Sequence, residues 1–190
     1  MRQLDHQPGP LLAVCLDSGD TLVDEGTEVK NAAGETQVAD LIPGAAELVR
    51  ALHAAGYPLA LVADGPRATF TNVLGHFGLF DLFSVHAISG EIGVEKPHPA
   101  IFRYALDALG IAPADYGRTI MVGNNLERDI AGANALGMVS VWIDWAPRRS
   151  KTPANALEQP DYRIKTPLEL LSLIPLIVRT HALRDGAMRP

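Results

Sequence analysis

The chain has 190 residues, of which 47% are hydrophobic and 20% charged, which suits one globular domain with a sizeable core and excludes a disordered chain. Its 16 basic and 22 acidic side chains leave a formal charge of −6, a poor basis for general binding to nucleic acid or to an anionic membrane. A single cysteine, Cys15, excludes an internal disulfide framework and fits a reducing cytoplasm.

The opening run Met1–Pro10 lacks the apolar stretch of a signal peptide. Leu11–Leu16 is uniformly apolar and predicts a buried strand, with Cys15 as one of its small hydrophobes. Next, Thr27–Lys30 and Glu35–Val38 flank Asn31-Ala-Ala-Gly34, the pattern of a β-hairpin with Gly34 in the left-handed conformation. A helix is predicted over Gly44–Ala55, where Ala45, Leu48, Val49 and Leu52 form one stripe and Gly56 is the stop signal.

Leu59–Ala63 predicts the second strand, about Arg67–His76 a helix and Phe83–Ile88 the third strand. Pro99–Leu109 predicts a helix with Ile101, Phe102, Ala105 and Leu109 on one face. Strands at Thr119–Val122 and Val139–Ile143 bracket a helix at Glu127–Leu136. Tyr162–Ile164 adds a short strand before a C-terminal helix, whose apolar run Leu170–Val178 is too short to span a bilayer.

Strands alternating with helices imply parallel pairing and right-handed crossovers. The expected fold is therefore α/β, a three-layer sandwich around a mostly parallel Rossmann-like sheet. One domain is expected over residues 1–190, with a core at about 11–178 and a hairpin flap at about 23–40. In such sheets the ligand site lies beyond the carboxyl ends of the strands, here the loops after Leu16, Ala63, Ile88, Val122 and Ile143.

Those loops carry chemistry. Asp17 follows the first strand without a glycine-rich dinucleotide loop, and a carboxylate there can act as a nucleophile toward phosphorus. A turn or cap is its plainer role, but no helix begins at Asp17. Lys96, fixed between glycine and proline in Gly93-Val-Glu-Lys-Pro-His-Pro99, can neutralise phosphate charge. Asn124 and Asp129, in Gly123–Asp129, are oxygen donors suited to Mg²⁺ or to orienting other groups.

In this order and spacing, the segments resemble the haloacid-dehalogenase-like superfamily over roughly Leu11–Ile143. Asp17 and Thr21 match the aspartate and threonine of its first motif. Glu91–Phe102 is similar to its lysine motif, and Gly123–Asp129 to its acidic motif. The resemblance implies a Mg²⁺-dependent phosphatase forming an aspartyl-phosphate, with Asp17 and Lys96 catalytic. It further implies metal contacts from Asp17, the Gly19 carbonyl and Asn124, phosphate contacts from Ala63, Asp64, Gly65 and Lys96, and support from Thr21 and Asp129.

Three positions depart from that pattern. Gly19 stands where many members have a second aspartate, the general acid and base. Ala63 replaces a hydroxyl residue that usually holds the phosphoryl group, leaving the Asp64 and Gly65 amides to cradle it. Asn124 replaces a metal-binding aspartate, so Mg²⁺ is expected to bind weakly. Missing acid–base help is worth about 10²–10⁴ in rate. The helical cap of many relatives, roughly 45 residues for four helices of average length, does not fit in Val23–Asp40. The chain thus resembles a capless member with an open site for a large phosphorylated substrate, or one closed by a second subunit in a homo-oligomer.

Two other readings stay open: a weak or silent phosphate-binding module, favoured by the three substitutions, and a 2-haloacid dehalogenase, which needs no metal. Around the site, Asp20 suits a turn. His98 is read as a polar residue capping a helix start, or as a substitute proton donor. Arg148, Arg149 and Lys151 form a basic cluster that reads as a solvated loop, or as a grip on an anionic substrate. Trp142 is expected in the core, and Trp145 at the site or an interface.

Overall fold

A computed structural model describes residues 11–187, so the reading of Met1–Pro10 lies outside the described residues. Six strands form one sheet: β1 (Ala13–Leu16), β4 (Leu59–Ala63), β5 (Val85–Ile88), β6 (Thr119–Gly123), β7 (Val139–Ile143) and β8 (Tyr162–Ile164). Their order is β5-β4-β1-β6-β7-β8, and every pairing is parallel. β1 is central. The chain builds outward from it through β4 and β5 on one side, then through β6, β7 and β8 on the other. The order reverses at β1, which puts the crevice of the sheet beyond the carboxyl ends of β1 and its neighbours.

Alternate residues of each strand face opposite layers. Val14, Leu16, Leu59, Leu61, Ile120 and Val122 share a core with α1 (Ala45–Ala54), α2 (Arg67–His76) and α6 (Glu169–Ala187). Ala13, Cys15, Ala60, Val62 and Met121 share the other with α4 (Pro99–Ala108) and the segment around α5 (Ala131–Ala135). Such strands, covered on both faces, read as continuous apolar runs rather than as alternation. Burial pushes the Cys15 thiol up to about 12, which keeps it inert. No helix among the described residues is long and apolar enough to cross a membrane.

Between β1 and α1 the chain forms the expected hairpin, β2 (Val29–Lys30) with β3 (Thr36–Val38), and Gly34 has φ 79°. Asn31 Oδ1 accepts the amides of Ala33 and Glu35, which closes the turn. The hairpin leans on α2: the Thr36 amide donates to Thr69 Oγ1 at 3.0 Å, and Asn72 Nδ2 donates to the Thr36 carbonyl at 3.1 Å.

Some boundaries differ from the sequence reading: the first hairpin strand starts at Val29, because Thr27 ends a 3₁₀ turn. The third strand starts at Val85, because Phe83 closes a 3₁₀ turn over Phe80–Leu82. A short helix, α3 (Ser89–Ile92), follows it directly. The helix expected from Glu127 opens with a π-helical turn, Leu126–Ile130, because the Asn125 carbonyl accepts from both Asp129 and Ile130.

Candidate active site

β1 stops where the chain must leave the sheet. The Asp17 amide still bonds the Val122 carbonyl of β6 at 2.9 Å, and the Ser18 carbonyl then accepts the amides of Thr21, Leu22 and Val23. This tight turn lifts the Asp17 side chain past the strand end, where it is 7% exposed. Thr21 Oγ1 donates to Asp17 Oδ2 at 3.0 Å. Lys96 Nζ donates to Asp17 Oδ1 at 2.6 Å and to the Val62 carbonyl at 2.8 Å, and lies 2.7 Å from Asp129 Oδ1.

One buried ammonium thus serves two carboxylates. Burial alone would lower the Lys96 pKa, but Asp129, Asp17 and Asp64 outweigh it and hold the lysine charged, above its ordinary value. Burial pushes the Asp129 carboxyl up to about 7, and the charge of Asp17 acts in the same direction. The packing of Asp129 also explains Gly123: a Cβ there would lie 2.2 Å from Asp129 Cγ. The Asn125 amide donates to Asp129 Oδ2 at 2.9 Å, and Asn125 Oδ1 caps the π-helical turn.

Asp64 braces the lysine loop. It accepts the Lys96 amide at 3.0 Å and Arg128 Nη1 at 3.0 Å, and Arg128 reaches Glu95 as well. Asn124 is 7% exposed; its carbonyl accepts the Trp142 indole N–H, while its side-chain Nδ2 is buried with no partner. Asp17, Gly19, Asp64, Lys96, Asn124 and Asp129 all line a polar pocket of about 110 Å³. A larger hollow of about 260 Å³ adjoins it through Gly19, Glu25, Asp64, Phe70 and Arg149, and runs out between the hairpin and α2.

Several expectations change. Ala63 does not line the pocket: its methyl is 1% exposed and packs in the apolar core. The Gly65 amide, expected to cradle a phosphoryl group, already donates to Ser89 Oγ at 2.9 Å. Arg148 and Arg149 are exposed, as a solvated loop would be, but both are ion-paired. Arg148 binds both oxygens of Asp20 and also Asp24, and Arg149 lies 3.5 Å from Glu25. Lys151 pairs with Asp144 rather than reaching the pocket.

The remaining minor residues take structural places. Asp20 has φ 50° and is fully buried, which fits its reading as a turn residue. His98 caps α4, its Nδ1 accepting the Ala100 amide at 3.2 Å. Trp142 is buried, and Trp145 packs against the core rather than lining the pocket.

Glu25 was not singled out by the sequence. It opens a 3₁₀ turn, Glu25–Thr27, capped by Asp24, and its amide donates to Asp20 Oδ1 at 3.2 Å. Its carboxylate hangs over Gly19: a Cβ built on that glycine would lie 2.1 Å from Glu25 Oε1. Burial raises the Glu25 pKa, and the charges of Asp20 and Asp17 add to the shift. The signal available beforehand was the absent carboxylate at position 19, which directs attention to acidic residues on the next turn of chain.

Comparison with known proteins bears on this geometry. A family model for haloacid dehalogenase-like hydrolases matches residues 11–137. The chain is 37% identical over 123 residues to a glyceraldehyde 3-phosphate phosphatase of Methanopyrus kandleri, a match covering 65% of this chain and 52% of that one. It is 36% identical over 124 residues to a phosphoserine phosphatase of Thermus thermophilus, covering 65% and 47%. It is also similar to the crystal structure of a HAD phosphatase from Thermococcus onnurineus, with TM-score 0.62 and 32% identity over 72% of this chain and 59% of that one. The matched stretch spans about half the length of the two curated relatives.

Proposed function

Since the chain belongs to the haloacid dehalogenase-like hydrolases, we propose that it is a phosphatase in which Asp17 attacks a phosphate monoester and carries the phosphoryl group as an aspartyl-phosphate. The observation that carries this reading is the setting of Asp17. One oxygen is held by Thr21 and the other by Lys96, and the carboxylate faces a polar pocket at the sheet's crevice. Fixing both oxygens before substrate arrives removes the reorganisation that a flexible nucleophile would need. The Lys96 ammonium is then positioned to balance charge on the transferred group. The leaving group would extend into the hollow between the hairpin and α2, which is open enough for a substrate larger than phosphate alone.

Magnesium is the cofactor this donor set fits, as a weakly held ion. Asp17 and the side-chain carbonyl oxygen of Asn124 are hard oxygen ligands, and both residues line the same polar pocket. Among the described residues no three His, Cys, Asp or Glu side chains are grouped to hold an ion by themselves. Mg²⁺ binds readily through one or two protein ligands together with substrate phosphate. Bound there it would neutralise phosphoryl charge, while Lys96 and Thr21 keep Asp17 aimed.

A second reading, a phosphate-binding module with little turnover, is favoured by Gly19 and Asn124, which leave the pocket without two carboxylates. A screen of alkyl, aryl and protein phosphate esters, with and without Mg²⁺, separates the two. The phosphatase reading expects Mg²⁺-stimulated release of phosphate by the parent and none by Asp17→Asn. Binding of inorganic phosphate without turnover of any ester would favour the module instead.

A further inference from the structure

Gly19 removes the carboxylate expected to help the departing and attacking oxygens, yet the space is not empty. Glu25 Oε1 sits where the first atom of a side chain at position 19 would be, at 2.1 Å from an ideal Cβ, with Glu25 Cδ at 2.9 Å. The same carboxylate lines both the small polar pocket beside Asp17 and the hollow beyond it. We propose that Glu25 supplies, from the 3₁₀ turn after the nucleophile loop, the acid–base carboxylate that position 19 lacks. This rests on the phosphatase reading above.

The surrounding residues hold Glu25 in that place. Asp20, in its left-handed conformation, turns the chain and accepts the Glu25 amide. Asp24 caps the turn through the Gly26 amide, and Arg148 clamps Asp20 and Asp24 together. Arg149 stands 3.5 Å from Oε2, the oxygen other than the one over Gly19. A simple surface ion pair with Arg149 would not need Glu25 to lie against a residue that has no side chain. The carboxylate can occupy this place only beside glycine, since a Cβ at 19 would push the Glu25 side chain aside. The glycine and the glutamate are therefore read as one arrangement.

The chemistry balances over two steps. An Asp17 oxygen bonds to phosphorus as the ester P–O bond breaks, and the departing oxygen takes the proton from the Glu25 carboxyl. The Glu25 carboxylate then takes a proton from water as that water's oxygen bonds to phosphorus. The bond between phosphorus and Asp17 breaks, phosphate leaves, and Asp17 returns as a carboxylate beside a protonated Glu25. The net reaction is ester plus water giving alcohol plus phosphate.

The test compares the parent with Glu25→Gln, Glu25→Ala and the double variant Gly19→Asp/Glu25→Ala. Glu25→Gln is expected to slow hydrolysis of alkyl phosphates by about 10²-fold and of aryl phosphates much less, because acid help matters most for a basic leaving oxygen. Vanadate affinity, measured by calorimetry, is expected to stay at the parent value. The double variant is expected to regain at least tenfold over Glu25→Ala, with the carboxylate moved back to position 19. An active parent with an undiminished Glu25→Gln, or equal losses on alkyl and aryl esters, would overturn the assignment. Loss of vanadate binding would make Glu25 a binding group instead, and no regain in the double variant would contradict the shared position. A parent inactive on every ester defeats the phosphatase reading itself, and this inference with it.

Discussion

Asp17 and Asp20 share one loop, both are buried, and each is paired with a cation from a distant segment, yet their settings differ. Asp17 meets a fully buried lysine that also faces Asp129, so two carboxylates compete for one ammonium next to a cavity. Asp20 meets Arg148 through two hydrogen bonds, at 2.8 and 2.5 Å, and that arginine is partly open to solvent. Desolvation is severe for the first cluster and light for the cation of the second. The contrast teaches that burial and pairing alone do not distinguish a reactive carboxylate from a structural one. What distinguishes them is incomplete satisfaction: an open pocket, a shared counter-ion and, at Asn124, a buried amide without a partner.

Neutralising each aspartate in turn would sharpen that contrast. Asp17→Asn is expected to cut turnover by at least about 10³-fold. It is also expected to leave the melting temperature unchanged or higher, since Lys96 keeps Asp129 as its partner. Asp20→Asn, which tolerates the left-handed backbone, is expected to lower stability by about 1–3 kcal/mol in urea titrations. It should affect turnover only by loosening Glu25. If Asp17→Asn destabilised the fold and Asp20→Asn did not, the division of labour would be reversed. Asn124→Asp is the mildest probe: calorimetry is expected to show Mg²⁺ affinity rising on the order of tenfold. No gain would mean that Asn124 does not face the ion.

The sequence exposed the sheet well and the second cluster poorly, for physical reasons. Strands covered on both faces favour apolar residues throughout, so Leu11–Leu16 and Leu59–Ala63 stand out as continuous runs and Val139–Ile143 is broken only by Ser140, whose hydroxyl bonds Asp161. Asp17 and Asn124 stood out at strand ends, Lys96 between glycine and proline, and Asp129 in the same segment as Asn124, and the structure brings all four to one pocket. Arg148 and Arg149 read as solvated because their partners, Asp20, Asp24 and Glu25, come from the far end of the chain, and nothing local announces the pairing. Ser89 as acceptor of the Gly65 amide was hidden in the same way. Glu25 was hidden by a glycine: the role proposed for it depends on an atom that position 19 does not have.

The central claim is that Asp17 carries the phosphoryl group. The most direct test is acid quenching during turnover of a hydrolysed ester, followed by peptide mass analysis and hydroxylamine treatment. The expected result is a hydroxylamine-labile phosphoryl group on the peptide holding Asp17, absent from Asp17→Asn. An active parent whose phosphoryl group appears on another residue, or an Asp17→Asn variant that hydrolyses the ester at the parent rate, would contradict it.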